Sequence, residues 1–437
     1  VFNPALVMQQ PSSTMSPSEL ENRYPDSLYL DLTANPVSSS GTQLKQIDLY
    51  LTIDFHEQWQ PMGAGRIKFG FKGGKLQLRL ENGIIPDECR HIKGSRKLSP
   101  EPNTQLPPVA CSAIAAGTEQ SPVWIWQGNT GVSVLQGSLK PTKLATVQVT
   151  GEPCQIDAVF TVSPSDIYLT SAEGLWLHQI RPNQLAVIER KLVLFLLESK
   201  LQPYLSRVVW QYSEDNGLQK LSPLQTDEQE QEFDTTKTTE LAELEELIQR
   251  LATTKTDNFF ELAKIANLEP ITDFVGAKLL GVNLNGTDLS GANLHRAYLR
   301  GADLSDADLS DADLVGANLG GADLSGAYLS NADLSGADLH RASLALANLS
   351  STNLSGANLS EANLSSANFS DANLNEANFT HADLHRASLM LAKLNGTVWQ
   401  NTKVEEARFG KNLGLSEPDK LELQQRGAMF EEDIASG

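Results

Sequence analysis

Three cysteines in 437 residues cannot make a complete disulfide framework. Cys89 and His91 are near neighbours, but Cys111 and Cys154 have no matching spacing, so buried or idle thiols account for all three better than a metal site. No apolar run approaches the roughly 18 residues of a membrane helix; Leu192 to Leu197 gives only six between charges. Basic residues are also scarce, 34 Lys and Arg against 54 Asp and Glu, a net charge of −20. A phosphate-binding surface needs a basic patch, so direct nucleic-acid binding is not expected. With no signal peptide and no membrane span, the chain reads as soluble and cytoplasmic. Gly63-Ala64-Gly65 lacks the third Gly and the Lys of a phosphate loop and precedes a strand rather than a helix. No nucleophile, base and orienting group stand together, so neither catalysis nor a cofactor is expected.

What is present is a repeat. From Thr272 to Lys411 a bulky apolar residue recurs every fifth position through 28 pentads: 22 Leu, four Phe, Trp399 and Val404. Two places earlier stands Ala in 22 pentads and Thr in five, and one place earlier Asp or Asn in 19. An α-helix needs apolar positions near every 3.6 residues and a strand every second, so neither fits as a continuous element. A short extended side followed by a turn, repeated, does fit. Four sides close a coil of 20 residues in which two residues of each pentad point inward and three face water. The expected core includes Phe274, Leu279, Leu284, Leu289, Leu294, Leu304, Leu324, Leu344, Leu364, Leu384 and Phe409.

This pattern resembles the pentapeptide-repeat family, over about a third of the chain. The resemblance implies a right-handed quadrilateral β-helix, a solenoid of about seven coils that at about 4.8 Å per coil is a rod roughly 34 Å long. Val282, Thr397, Trp399, Thr402 and Val404 depart from the consensus, the last four where a terminal repeat is expected to degrade. A core of stacked Leu and Ala leaves no lumen for a substrate.

Several apparent motifs are consequences of the repeat. The Asn-Leu-Ser triplets at Asn348, Asn353, Asn358 and Asn363 are consensus, not glycosylation sequons, and repeat composition accounts for the run Asp303, Asp306, Asp308, Asp311 and Asp313 without a bound cation. His381 and His385 have metal-like spacing only on a helix. His-Arg-Ala recurs at 295, 340 and 385, nine pentads apart, so each copy is displaced by one side of the coil and reads as a tandem duplication.

Charge is uneven: neutral over 1–212, −9 over 213–271, −7 over 272–411 and −4 over 412–437. Sorted by side, the pentads carry −2, +1, −4 and −2; the most negative side has Asp303, Asp306, Asp323, Asp383, Glu405 and Glu406, a candidate partner surface. Some pentapeptide-repeat proteins resemble duplex DNA in shape and charge and occupy the DNA site of a topoisomerase, which makes DNA mimicry a second reading.

Both solenoid ends need covers. Glu240 to Leu251 carries a helical Leu stripe and Asn258 to Asn267 follows, a helical N-cap over 240–271; a dimerising helix, hence a homodimer, is the other reading of the stripe. Ser416-Glu417-Pro418-Asp419 reads as a helix start ended by Gly427, within a capping helix and acidic tail over 412–437. The segment Arg426 to Asp433 is similar to the tails of many cyanobacterial pentapeptide proteins.

Residues 1–212 read as a separate β-rich sandwich or barrel of short strands, at 28–32, 47–55, 66–71, 75–80, 123–127, 132–139, 144–149, 156–162 and 175–180, followed by a helix-like stretch over 183–200. Residues 213–239, acidic at 227–232, read as a flexible linker. The expected function is a non-catalytic scaffold offering a rigid surface to a protein partner. Besides DNA mimicry, a third reading is a ligand-binding or enzymatic N-terminal domain with the rod as spacer.

Overall fold

A computed structural model describes residues 21–37, 45–100, 107–129, 134–176, 179–221 and 233–431. The described residues fall into two compact units, one drawn from Val1–Gln58, Gly70–Val162 and Leu201–Gln231, the other from Trp59–Phe69, Ser163–Lys200 and Glu232–Gly437.

The first unit is mainly antiparallel β. Its strands are β1 (Leu28–Val37), β2 (Gln46–Phe55), β5 (Gly73–Glu81), β6 (Gly83–Ile84), β7 (Gly94–Leu98), β8 (Val109–Gly117), β9 (Pro122–Gly128), β10 (Gly137–Val149), β11 (Cys154–Thr161), β13 (Ser206–Ser213) and β14 (Gly217–Leu221). Four form a sheet ordered β1-β2-β10-β6 and seven a sheet ordered β14-β13-β11-β5-β9-β8-β7. Alternation sets the buried face: in β2, Ile47, Leu49, Leu51, Ile53 and Phe55 are buried at every second position. Phe55 of the smaller sheet meets Phe160 of the larger edge-on at 6.2 Å. Two strands expected on either side of Pro141 are the single strand β10, because its register shifts between Leu139 and Thr142 accommodate a residue without an N–H. The expected strand 175–180 is displaced: the strand is β12 (Ile167–Glu173), and residues 177–178 lie outside the described residues.

In the second unit β12 joins β4 (Gly65–Phe71) and β3 (Gln58–Met62) in a three-stranded sheet. The helix-like stretch becomes α1 (Pro182–Leu196), continued by a π-helical turn, and the compact unit it joins is that of the rod rather than the N-terminal sheets. The expected domain end at 212 and the linker at 213–239 therefore need correction. Pairing of β13 with β14 orders residues to 221, and α2 (Phe233–Thr253) starts at 233; the acidic run at 227–232 lies outside the described residues.

The repeats make a ladder. Parallel bridges join residues 20 apart from Lys278 with Tyr298 to Lys393 with Leu413, so four pentads make one coil. Most sides end in a turn closed by a hydrogen bond over three residues, as from Ala302 N–H to Leu299 O at 3.0 Å. The third turn residue has positive φ in all 28 pentads, of which 17 place a residue other than Gly there, such as Leu346 at 63°. Left-handed backbone costs an L-residue about 1–2 kcal/mol. At Gly336, φ is 65° and an added Cβ would meet nothing within 4 Å, so backbone alone decides. Gly336→Val is expected to cost about 1–2 kcal/mol in a denaturant melt; no change would show that the corner tolerates the conformation freely.

The inward columns are dry: Leu304, Leu324, Leu344, Leu364 and Leu384 are 0% exposed, and Phe274, Leu279, Leu284, Leu289, Leu294 and Phe409 are buried as well. Of the other three positions only the corner is regularly exposed; the remaining two are mostly half-buried, because neighbouring coils cover them. Asp and Asn therefore do not simply face water. Their Oδ1 accepts the N–H two residues on, as from Ser305 to Asp303 at 3.1 Å, capping the turn. Asn also donates to the coil before it, Asn353 to Asp333 and Asn373 to Asn353 at 3.0 Å each. That ladder favours Asn over stacked carboxylates, which repel.

The ends are covered. Helix α3 (Phe259–Ile265) starts at Asn258, whose side chain accepts from Glu261 N–H, and Phe259 lies 4.9 Å from Phe274 of the first coil. At the far end α4 (Glu417–Gln425) is capped by Ser416, and β16 (Met429–Phe430) pairs in parallel with β15 (Arg408–Phe409). Phe430 stacks on Phe409 at 5.1 Å, continuing a column through Trp399 and Phe379.

Candidate functional site

The acidic candidates lie together on one side of the coil but are largely engaged. Asp303, Asp323 and Asp383 share one column with Ser343, Asn363 and Lys403. Each caps its own turn, accepting from Ser305, Ser325 and His385 N–H at 3.1, 2.9 and 3.0 Å. Lys403 Nζ reaches Asp383 at 3.3 Å, and Arg386 Nε holds Glu406 at 2.7 Å. Arg386 draws the Glu406 carboxyl below the usual carboxylate range. Asp306 sits at a left-handed corner, and Glu405 is exposed. The side is thus less negative to a partner than its formal charge.

The three His-Arg elements stand on successive sides, as a step of 45 residues over a 20-residue coil requires. Their partners repeat: Arg341 pairs with Glu361 at 2.8 Å as Arg386 does with Glu406. His295 Nδ1 lies 3.4 Å from Asp313, and His340 Nδ1 lies 3.0 Å from both Ser360 O and Oγ. The signal for these pairs was in the sequence, Arg and Glu 20 apart; it becomes legible once coil length is fixed.

A buried polar cluster at the first coil escaped sequence reasoning, because α1 and β12 are distant from the repeats in the chain. Glu189 of α1 pairs with Lys278 Nζ at 3.0 Å. Lys278 lies 5.5 Å over the Tyr168 ring, which packs 5.2 Å from Tyr298. Asn183 exchanges hydrogen bonds with Asn283, accepting from its N–H at 2.7 Å and donating to its carbonyl at 3.0 Å. Arg190 Nη1 donates to Val275 O at 3.1 Å, while its Nε is buried without a hydrogen-bond partner. Burial pushes the Glu189 carboxyl up, with Lys278 opposing, and lowers Arg190 to about 10. Burial also raises Tyr298 to about 12. The cavity among these groups is about 20 Å³, room for one water. The cluster orients α1 on the rod and admits no substrate.

Its titration makes a prediction. A carboxyl with a raised folded pKa binds its proton more tightly folded than unfolded, so stability falls as pH rises from the unfolded value near 4.5 through the folded one. Glu189→Gln should flatten that loss in urea melts taken upward from about pH 4.5; an unchanged pH slope would remove Glu189 as the titrating group.

Two open clefts flank α2. One, about 350 Å³, is lined by Ala64, Gly174, Leu175 and Glu245; the other, about 290 Å³, by Lys191, Glu246, Arg250 and Asn267. Glu245 accepts the Ala64 N–H at 2.8 Å, so the Gly63-Ala64-Gly65 turn receives a carboxylate of its own chain. Cys111 and Cys154 are buried, and burial raises each thiol to about 11. Cys89 is half-buried and also free. Among the described residues no three His, Cys, Asp or Glu side chains group as metal ligands.

Residues 272–306, 307–345, 342–379 and 357–396 match the profile of Pentapeptide repeats, with eight copies. No curated protein matches the chain. Among solved structures the chain is similar to HetL, a pentapeptide repeat protein involved in heterocyst differentiation regulation from the cyanobacterium Nostoc sp. strain PCC 7120, at 26% identity over 35% of this chain and 79% of that one, TM-score 0.21. A pentapeptide repeat protein from the cyanobacterium Cyanothece 51142 is 30% identical over 32% of this chain and 91% of that one, TM-score 0.18. QnrB1, a plasmid-mediated fluoroquinolone resistance protein, is 20% identical over 36% of this chain and 84% of that one, TM-score 0.27.

Proposed function

The C-terminal repeats belong to the pentapeptide-repeat family, and from that membership we propose that the chain is a non-catalytic interaction protein whose rod offers a rigid surface to a protein partner. The observation that carries this reading is the solid interior: the Leu, Phe and Ala columns from Ala292 to Ala392 are at most 2% exposed, so binding has to use the outside. Ladder pairing and paired side chains fix that outside in place, which lowers the entropic cost of docking. The finer architecture goes with this reading: a right-handed quadrilateral β-helix, a sandwich or barrel for the first unit, and a cytoplasmic location.

The test uses the full chain as bait, with exposed charges reversed one side at a time. A specific partner should be retained by the parent and lost on changing at least one side, with the melting temperature unaltered. A partner indifferent to all four sides would move the contact off the rod and favour the N-terminal sheets as the binding module. DNA mimicry draws only on the acidic side, whose carboxylates cap turns and pair with Arg386 and Lys403. It predicts inhibition of topoisomerase supercoiling, which the interaction reading does not expect.

A further inference from the structure

We propose that one face of the rod, the side bearing Arg300 and His340, is a docking strip for a short extended acidic segment of a partner protein. This rests on the reading above that the rod surface makes the contact, and it names the face and the chemistry. Over the first four coils, residues 272–351, that side carries Lys278, Arg300 and Arg341 against Asp338, a net +2 on a rod that is otherwise acidic. The side before it has Arg296 against Asp273, Asp313 and Asp333. The side after has Asp303, Asp306 and Asp323, and the fourth Asp288, Asp308 and Asp311, with no cation on either. Over the whole rod Glu361 lowers that side to +1, and it alone of the four is formally positive.

The local shape fits a chain. Residues 300, 320 and 340 stack in one column as Arg, Gly and His, and residues 301, 321 and 341 in the next as Gly, Gly and Arg. A Cβ at Gly301 or Gly321 would meet nothing within 4 Å, while one at Gly320 would lie 3.3 Å from Asn318 Oδ1, 3.7 Å from His340 O and 4.0 Å from Arg300 Cγ. The missing side chains leave a shallow floor with Arg300 at one end and the His340-Arg341 pair at the other. Arg296 borders it at the corner, its Cγ 3.5 Å from where a Gly316 Cβ would stand. Arg300 is exposed, and neither it nor Arg296 makes an ion pair among the described residues, whereas Lys278 is taken by Glu189 and Arg341 shares its charge with the exposed Glu361 of the next coil.

Arg300 and His340 are two coils apart, about 10 Å, the span of three residues of extended peptide. Carboxylates at i and i+4, which share one face of an extended chain about 13 Å apart, would reach both ends through the flexible Arg and Glu side chains, and Arg guanidinium forks match carboxylates with paired hydrogen bonds. A DNA duplex fits less well, because a side of about three extended residues is only about 10 Å across and its flanks would repel phosphates.

Fluorescein-labelled hexaglutamate titrated against the full chain at low salt should give saturable anisotropy, weakened by added salt. Arg300→Glu with Arg341→Glu should weaken it at least tenfold. Lys393→Glu with Lys403→Glu, the same charge change on other sides, should alter it less than twofold, with circular dichroism melts of all variants alike. No saturable binding at millimolar peptide overturns the proposal, as does equal weakening by both double variants, which would mean net charge alone. Tighter binding of a labelled 12-base-pair duplex than of hexaglutamate would reassign the strip to nucleic acid and overturn it too. A partner held by the full chain but indifferent to the Arg300 and Arg341 changes would overturn the strip while leaving the rod-surface reading intact.

Discussion

Phe430→Ala should unravel the last coil while the middle of the rod stays folded. Phe430 is 5% exposed and stacks on Phe409 at 5.1 Å and 17°, closing an aromatic column that runs through Trp399. Around it, Glu406 N–H donates to Gly427 O at 2.9 Å and Met429 N–H to Ala407 O at 2.8 Å, and the Arg426 guanidinium donates to Trp399 O and Thr402 O at 2.9 and 3.1 Å. The tail is thus an imitation coil that ends the ladder without leaving an open edge. Truncating a buried Phe costs about 3–5 kcal/mol. In a solenoid that loss falls first on the end unit and its neighbour. Hydrogen exchange should accelerate at the Leu389 and Leu394 amides and stay slow at Leu324 and Leu344. Unchanged protection at Leu389 would refute the cap.

Leu344→Asp should be the most damaging single change in the rod. Leu344 is 0% exposed in the middle of an inward column, so the substitution removes a Leu side chain, about 2–5 kcal/mol, and adds a carboxyl with no partner. A total of about 5 kcal/mol or more exceeds what most single substitutions do. The same replacement two residues on is the control. Leu346 is 72% exposed at a corner with φ of 63°, a conformation Asp tolerates better than Leu, so Leu346→Asp should change stability by no more than about 0.5 kcal/mol. Urea melts of the two variants measure the contrast. Similar losses at both positions would mean that the inward columns do not hold the rod.

The period did most of this work in advance. Five-residue spacing of Leu with Ala two places before it fixed which residues face inward, because no helix or strand can bury that pattern. Ser416 marked its helix start through a side chain that has to satisfy backbone N–H groups. Less was legible where partners are far apart in the chain. Asp303 and Asp323 read as a free acidic surface, since a sequence shows charge but not the turn N–H groups that a carboxylate serves. The strands beside Pro141 read as two, since a bulge is a property of pairing.

Local repetition thus determined the rod: each pentad meets its neighbours 20 residues away in the same way, so one unit's pattern specifies all of them. Only tertiary structure decided that α1, through Glu189 and Asn183, holds the first coil at Lys278 and Asn283, and that Phe430 closes the last. Those contacts join side chains separated by irregular stretches of chain, where no period carries the register and only packing and charge can choose the partner.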